Sequence, residues 1–226
     1  MKIFKKIWWR LLFASYALVY LPWFFFLESK ITMDYPNLHI INGPLDDMIP
    51  FCEVFIIPYF LWFAYIVASC IIMVLKADNQ EFVRFALSLI IGMSLCMVIC
   101  MVYPNGLTLR PDTLPDNAFG RLVAGLYATD TPTNVFPSIH VYNSIAVHTA
   151  LSKCKALKNH KGLLTGSLIL CILICMSTVF LKQHSLYDVG GAFVLMGVMY
   201  YVLYILPERR AQRQAENEKH YASADE

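Results

Sequence analysis

Apolar residues along this chain come in long unbroken runs, with none of the strict two-residue alternation that marks barrel strands. Six runs stand out, at about residues 7–27, 49–75, 84–103, 138–152, 162–182 and 184–206. A helix of about 17–25 apolar residues crosses the hydrocarbon core of a bilayer. Backbone polar groups in lipid must be paired within the segment, so a bundle of helices is the architecture expected. The pattern predicts an all-α, polytopic membrane bundle of six transmembrane helices. A seventh, short amphipathic helix is expected over Asp116–Tyr127, with Leu122, Val123 and Leu126 on one side and Arg121 beside them, lying at the interface. The whole of 1–226 reads as a single integral membrane domain that closes in a charged tail, 207–226.

Composition agrees and narrows the choice. Hydrophobic residues make up 58% and charged residues 15% of the chain, far from soluble averages. The net charge of +2 decides little, but its distribution decides topology. Fourteen of the eighteen basic residues fall in the first ten residues, in the turns 76–84 and 153–161, or in the tail. Only Lys30, Arg110, Arg121 and Lys182 fall on the other side. An excess of Lys and Arg marks cytoplasmic loops, which places both termini inside, in a protein expected in the plasma membrane. The basic start resembles a signal peptide, but the run ends at Glu28-Ser29-Lys30 without a small-residue cleavage site, so an uncleaved anchor is expected. The cysteines, seven in number, sit mostly within the runs or on their inner side. They are assigned to packing, with no disulfide and no metal.

Polar residues against this background carry the chemistry. Residues 29–48 form an outer loop in which Asp46-Asp47 is expected to be solvated. Tyr59, Trp62 and Tyr65 are explained by aromatic belts and helix packing. The outer segment after Tyr103-Pro104-Asn105-Gly106 runs about 35 residues, too long for a bare connector. The fourth run opens at Pro137-Ser138, with Ser138 as N-cap and His140 on the rim of a helix start that attracts oxyanions. Ser144 and His148 continue a polar stripe, His148 reading best as an interhelical hydrogen-bonding residue. The fifth run ends at Ser177, Thr178, Lys182 and Gln183, and His184 and Asp188 follow at helical spacing. Gly190-Gly191 then permit a close helix approach.

Two histidines, a carboxylate and nearby cations suit displacement at phosphorus. His184 would attack, with Asp188 fixing its tautomer and stabilising the growing imidazolium. His140 would protonate the leaving oxygen. Ser138, Arg110, Lys182 and Ser177 are the expected holders of the phosphoryl oxygens, with no metal or other cofactor required. Arg121 is equally well read as a lipid head-group contact.

These residues resemble the three-part signature of the type 2 phosphatidic acid phosphatase superfamily: K-x6-R-P, P-S-x-H, and S-R-x5-H-x3-D. Pro137 to His140 match the second part, Ser177, His184 and Asp188 the third, and Arg110-Pro111 the first, over a region of about 103–200. The resemblance implies His184 as nucleophile, His140 as general acid and Asp188 as its partner. It departs at Tyr103 and Thr178, where the signature has Lys and Arg. The wording from Asp130 to His140, with Ser177-Thr178 and Lys182-Gln183-His184, is similar to the branch that includes inositol-phosphoceramide synthases, which transfer a phospho-head group to an alcohol.

The expected function is therefore hydrolysis of a lipid phosphate or diphosphate at the extracytoplasmic face through a phosphohistidine. Lipid phosphotransfer to an alcohol is the alternative within the same chemistry. A non-catalytic transporter or binding protein is the alternative of another class, against which stands the lack of an internal repeat. The partners implied are a lipid phosphate and the bilayer, not nucleic acid.

Overall fold

In the computed structural model of the chain, residues 2–224 are described. The side chains of 2–6 and 218–224, and so the charges of Lys2, Lys5, Lys6 and Lys219, lie outside the described residues. Helix accounts for 75% of the chain, with almost no sheet. The order is α1 (Lys2–Leu11), a 3-10 turn, α2 (Ala17–Lys30), α3 (Pro44–Asp47), α4 (Ile56–Lys76), α5 (Asn79–Val102) and α6 (Ala118–Thr129). There follow α7 (Ile139–Lys153), α8 (Lys161–Phe180), α9 (Leu186–Tyr200), a π turn, and α10 (Leu206–Ala224). The tail thus continues the last span as helix.

Five helical stretches among the described residues are long and apolar enough to cross a membrane: Ile7–Lys30, Glu53–Lys76, Asn79–Val102, Lys161–Phe180 and Leu186–Asn217. The helix on the fourth predicted run, α7, is 15 residues long. At 1.5 Å per residue it reaches only about 22 Å, short of the roughly 30 Å hydrocarbon core. It is instead the central helix, packed against α4, α5, α8 and α9. Val141, Tyr142, Ala146, Val147, Ala150 and Leu151 are all buried. A helix surrounded by protein can carry polar side chains because they find partners other than lipid. Ser144 donates to the His140 carbonyl at 2.7 Å, and His148 reaches Ser167 of α8 at 3.0 Å, an interhelical bond as expected.

Helix ends follow cap chemistry more closely than apolarity. Residue 84 opens the third apolar run, yet α5 starts at Asn79 because Asp78 and Glu81 form a reciprocal capping box. In the same way α9 starts at Leu186, with Ser185 as N-cap. His184 and Asp188 are therefore not neighbours along one helix, as their spacing suggested; His184 precedes the first turn. The C-terminus of α4 is closed from outside. Arg10 of α1 donates to the carbonyls of Met73, Val74 and Ala77 and to Asn79 Oδ1, so a charge in the first apolar run is spent on orphan carbonyls.

The loops on the site end are tied together. His39–Ile40 pairs in parallel with Asn105–Gly106. Asn105 Oδ1 accepts from the amides of Val135 and Phe136 at 2.9 and 2.8 Å, holding the approach to α7. Asp46 is buried, against the expectation of a solvated pair: it accepts from the amides of Leu186 and Gly43, while Asp47 is exposed. One further correction concerns α6. Its buried side is Gly120, Val123 and Leu126, and Leu122 is exposed, because Val123 and Leu126 pack on Ile56, Tyr59 and Leu181. Arg121 is exposed and pairs with Asp116 at 3.4 Å.

Candidate active site

The turn that ends α8 delivers the first histidine. Lys182 adopts a left-handed conformation, φ 54°, and the amides of Gln183 and His184 both donate to the carbonyl of Thr178. His184 then meets Asp188 across the start of α9, with Nδ1 at 3.3 Å from Asp188 Oδ2. The same carboxylate oxygen accepts from the Ser185 amide at 2.8 Å, and the Asp188 amide donates to Ser185 Oγ at 3.2 Å. Asp188 is thus both the capping carboxylate of α9 and the partner of the imidazole, so one set of hydrogen bonds fixes both. Its position assigns the ring proton to Nδ1 and leaves Nε2 with a lone pair.

The second histidine comes from the first turn of α7. Ser138 is its N-cap, accepting from the Val141 amide, and donates its own amide to the Asp188 carbonyl at 3.2 Å. The two helix starts are therefore joined directly. Among the described residues the amides of Ile139 and His140 have no partner, as the first turn of a helix dictates. The His140 ring lies against Tyr59 and Trp62 of α4, at centroid distances of 4.7 and 4.5 Å. The centroids of His140 and His184 are 5.8 Å apart, close enough for both ring edges to reach one phosphoryl group.

Both rings open on a cavity of about 400 Å³. Its walls are Tyr20, Phe24 and Phe25 of α2 and Phe60 and Phe63 of α4, which makes them mostly aromatic. Its floor is polar: the histidines, Gln183, Glu28, Asp130 and Asn134. Among the described residues no Lys or Arg lines it. Glu28 accepts from the Thr131 hydroxyl and from Asn134 Nδ2, and Asp130 Oδ2 accepts from the Tyr59 hydroxyl at 3.0 Å. Burial pushes the Asp130 carboxyl above its ordinary pKa, against the pull of that hydrogen bond.

The structure brings together three of the seven predicted site residues, His184, Asp188 and His140. The four expected phosphate holders are committed elsewhere. Lys182 Nζ donates to the carbonyls of Asp46 and Ile49, both at 2.6 Å, and is buried. Ser177 Oγ donates to the Ile174 carbonyl in its own helix, and Ser138 caps α7. Arg110 lies one side chain behind the cavity: it donates to Gln183 Oε1 at 2.5 Å and to the carbonyls of Asp130 and Tyr127, with its guanidinium over the Tyr127 ring. Burial lowers its pKa and Asp130 opposes this; a guanidinium stays charged regardless. The two positions that depart from the signature also face elsewhere. Tyr103 stacks on His39 at 4.1 Å, and the Thr178 hydroxyl donates to the Cys175 carbonyl.

Sequence reasoning missed Glu28, Gln183, and the placing of Tyr59 and Trp62 around His140. One signal existed, a carboxylate at the end of an apolar run. Among the described residues no three His, Cys, Asp or Glu side chains form a group that could hold a metal ion.

Two histidines facing one cavity in a helical membrane protein, one of them backed by a buried carboxylate, form an arrangement able to carry a displacement at phosphorus. The family model of the PAP2 superfamily matches residues 81–212, more than half of the chain and all three of these residues. The chain belongs to the PAP2 superfamily. That membership points to phosphatase- or phosphotransferase-type activity in a membrane-helical protein. No curated protein and no solved structure matches the chain.

Proposed function

We propose that the protein is a lipid phosphatase that cleaves a lipid phosphate ester through a phosphohistidine. The observation that carries this is the pairing of His184 with Asp188 at 3.3 Å, opposite His140 at 5.8 Å, at the floor of one cavity. His184 Nε2 attacks phosphorus; the N–P bond forms as the P–O bond to the lipid alcohol breaks. His140 gives its proton to the leaving oxygen, and Asp188 stabilises the imidazolium of His184. Neutral His140 then takes a proton from water, whose oxygen displaces His184 and releases the phosphate. The free amides of Ile139 and His140, at the positive end of α7, support the phosphoryl oxygens. Arg110 acts at one remove, through Gln183 and its field. The reaction needs no metal.

In this reading α7 and its entrance loop complete a sixth crossing. The distribution of Lys and Arg supports cytoplasmic termini and a cavity on the far side, within reach of lipid moving in between α2 and α4, and the plasma membrane is the membrane taken in this reading. A second reading, transfer to an alcohol, is favoured by the absence of Lys and Arg from the cavity lining, which suits a singly charged diester better than a doubly charged monoester. The likeness to the inositol-phosphoceramide-synthase-like branch leans the same way.

The test is purified protein with labelled lipid phosphate, with and without acceptor alcohols. Free phosphate marks a phosphatase and a new lipid a transferase. His184→Ala should lower the rate by about 10⁴-fold or more. Vanadate should inhibit and EDTA should not. Turnover retained in His184→Ala would remove the nucleophile assignment, and loss with EDTA would indicate a metal mechanism.

A further inference from the structure

The charge of the cavity is the opposite of what a phosphate site calls for. Glu28 and Asp130 both line it, and among the described residues no Lys or Arg does. Neither carboxylate is in an ion pair among the described residues. The donors to Glu28 are Thr131 and Asn134, and those to Asp130 are Tyr59 and Gln183, all neutral. Arg110 meets the Asp130 backbone carbonyl and not its carboxylate. The walls beside these acids are aromatic faces, which attract cations. His184, 7% exposed and with no partner on Nε2, opens on the same space.

We infer that Glu28 and Asp130, with Tyr59 and Trp62, form a subsite for an ammonium group, and that the substrate is a phosphodiester lipid with an amino-alcohol head group. This rests on the phosphohistidine reading above and names its substrate class. Such a lipid brings its own cation to the carboxylates and its single phosphate charge to the histidines. A monoester dianion would sit beside two acidic side chains, with no Lys or Arg among the described residues lining the cavity to offset it. The neutral donors hold both carboxyl groups in place and leave them able to meet an incoming cation. A polyol could hydrogen-bond the two acids but would bring no cation to them.

The group transfer follows from this placement. The P–O bond to the diacylglycerol oxygen breaks while the His184 N–P bond forms, and the proton from His140 goes to that oxygen. Diacylglycerol leaves along the apolar walls. The amino-alcohol stays on phosphorus, anchored by its ammonium, until water or an alcohol displaces His184 and gives its proton to His140.

The experiment measures diacylglycerol release by the full-length protein in neutral detergent micelles. The substrates are phosphatidylethanolamine, phosphatidylcholine, phosphatidylglycerol, phosphatidylinositol and phosphatidate. The amine diesters should exceed phosphatidylglycerol in kcat/KM by about tenfold or more, and Glu28→Gln or Asp130→Asn should shrink that ratio by a similar factor, as for loss of a charge-assisted contact. Both substitutions keep the shape and an acceptor oxygen, and thermal unfolding confirms that each variant folds. Tetramethylammonium binding to His184→Ala, followed by tryptophan fluorescence, reads the subsite without turnover. It should saturate, and should be lost when Glu28→Gln is added. Turnover that depends on His184 but favours phosphatidylinositol, phosphatidylglycerol or phosphatidate, with no tetramethylammonium binding, overturns the inference and leaves the phosphohistidine intact. Saturable binding with no His184-dependent turnover of any lipid keeps the subsite and overturns the reaction.

Discussion

A methyl group added at Gly191 tests how the two histidines are held together. A Cβ built there would lie 2.4 Å from Phe136 Cε2 and 2.8 Å from Cζ, where carbon pairs settle at about 3.5–4.0 Å. The ring must retreat by about 1 Å. Phe136 is tied by its amide to Asn105 Oδ1 and leads through Pro137 and Ser138 into His140, so the displacement runs towards the site. Overpacking of this kind costs about 1–3 kcal/mol. A misplacement of 1 Å at a reacting group can cost about 10²-fold in rate. Gly190 is the internal control, since a Cβ there meets nothing within 4 Å, and alanine is the better helix former by about 1 kcal/mol. The assay pairs lipid phosphate ester turnover with thermal unfolding of the detergent-solubilised protein. Gly191→Ala should lose rate, unfolding temperature or both, and Gly190→Ala should lose neither. If Gly191→Ala matches the parent in both measurements, the packing of Phe136 on α9 is wrong, and with it the account of how His140 is placed.

Two further predictions separate structural from functional cations and test a cap. Lys182→Met should lower stability by about 1–3 kcal/mol, because the carbonyls of Asp46 and Ile49 lose a buried donor; vanadate affinity should be nearly unchanged per folded molecule, and a large loss of that affinity would restore Lys182 as a phosphate contact. Asp78 lies below its ordinary pKa, first through the Glu81 amide and then through Lys155. Its contribution is therefore present above about 3.9, the ordinary carboxylate value, and is lost as pH falls through the lowered folded value. Asp78→Ala should cost about 1 kcal/mol at neutral pH, with a difference from the parent that narrows on acidification; a constant gap would show that the cap is not ionised.

The difference between what was legible and what was not is one of range along the chain. His184, Asp188, Ser138 and His140 lie on short segments whose caps and spacing are local, so the sequence sufficed to propose them and to expect helices around them. The α5 start was missed because a capping box outranks apolarity at a helix end. Lys182 illustrates the opposite case: as a cation near the expected phosphate site it looked like a ligand, but its ammonium is consumed by the carbonyls of Asp46 in α3 and Ile49 just after it, about 130 residues away in sequence. Asp46 was read as solvated for the same reason, since only folding brings the α9 start to it.

By itself, the sequence determined that this is a helical membrane protein with two histidine clusters and one acid in the spacing of the family's signature. Hydrophobic run length and cap chemistry are properties of contiguous residues. Tertiary structure alone decided that α7 is short and central, that Arg110 stands behind Gln183, and that Glu28 of the first span joins Asp130 on the floor of the cavity. A side chain's partner is set by which helices pack together, and residues 28 and 130 share a site only once α2 has folded back against the loop that leads into α7.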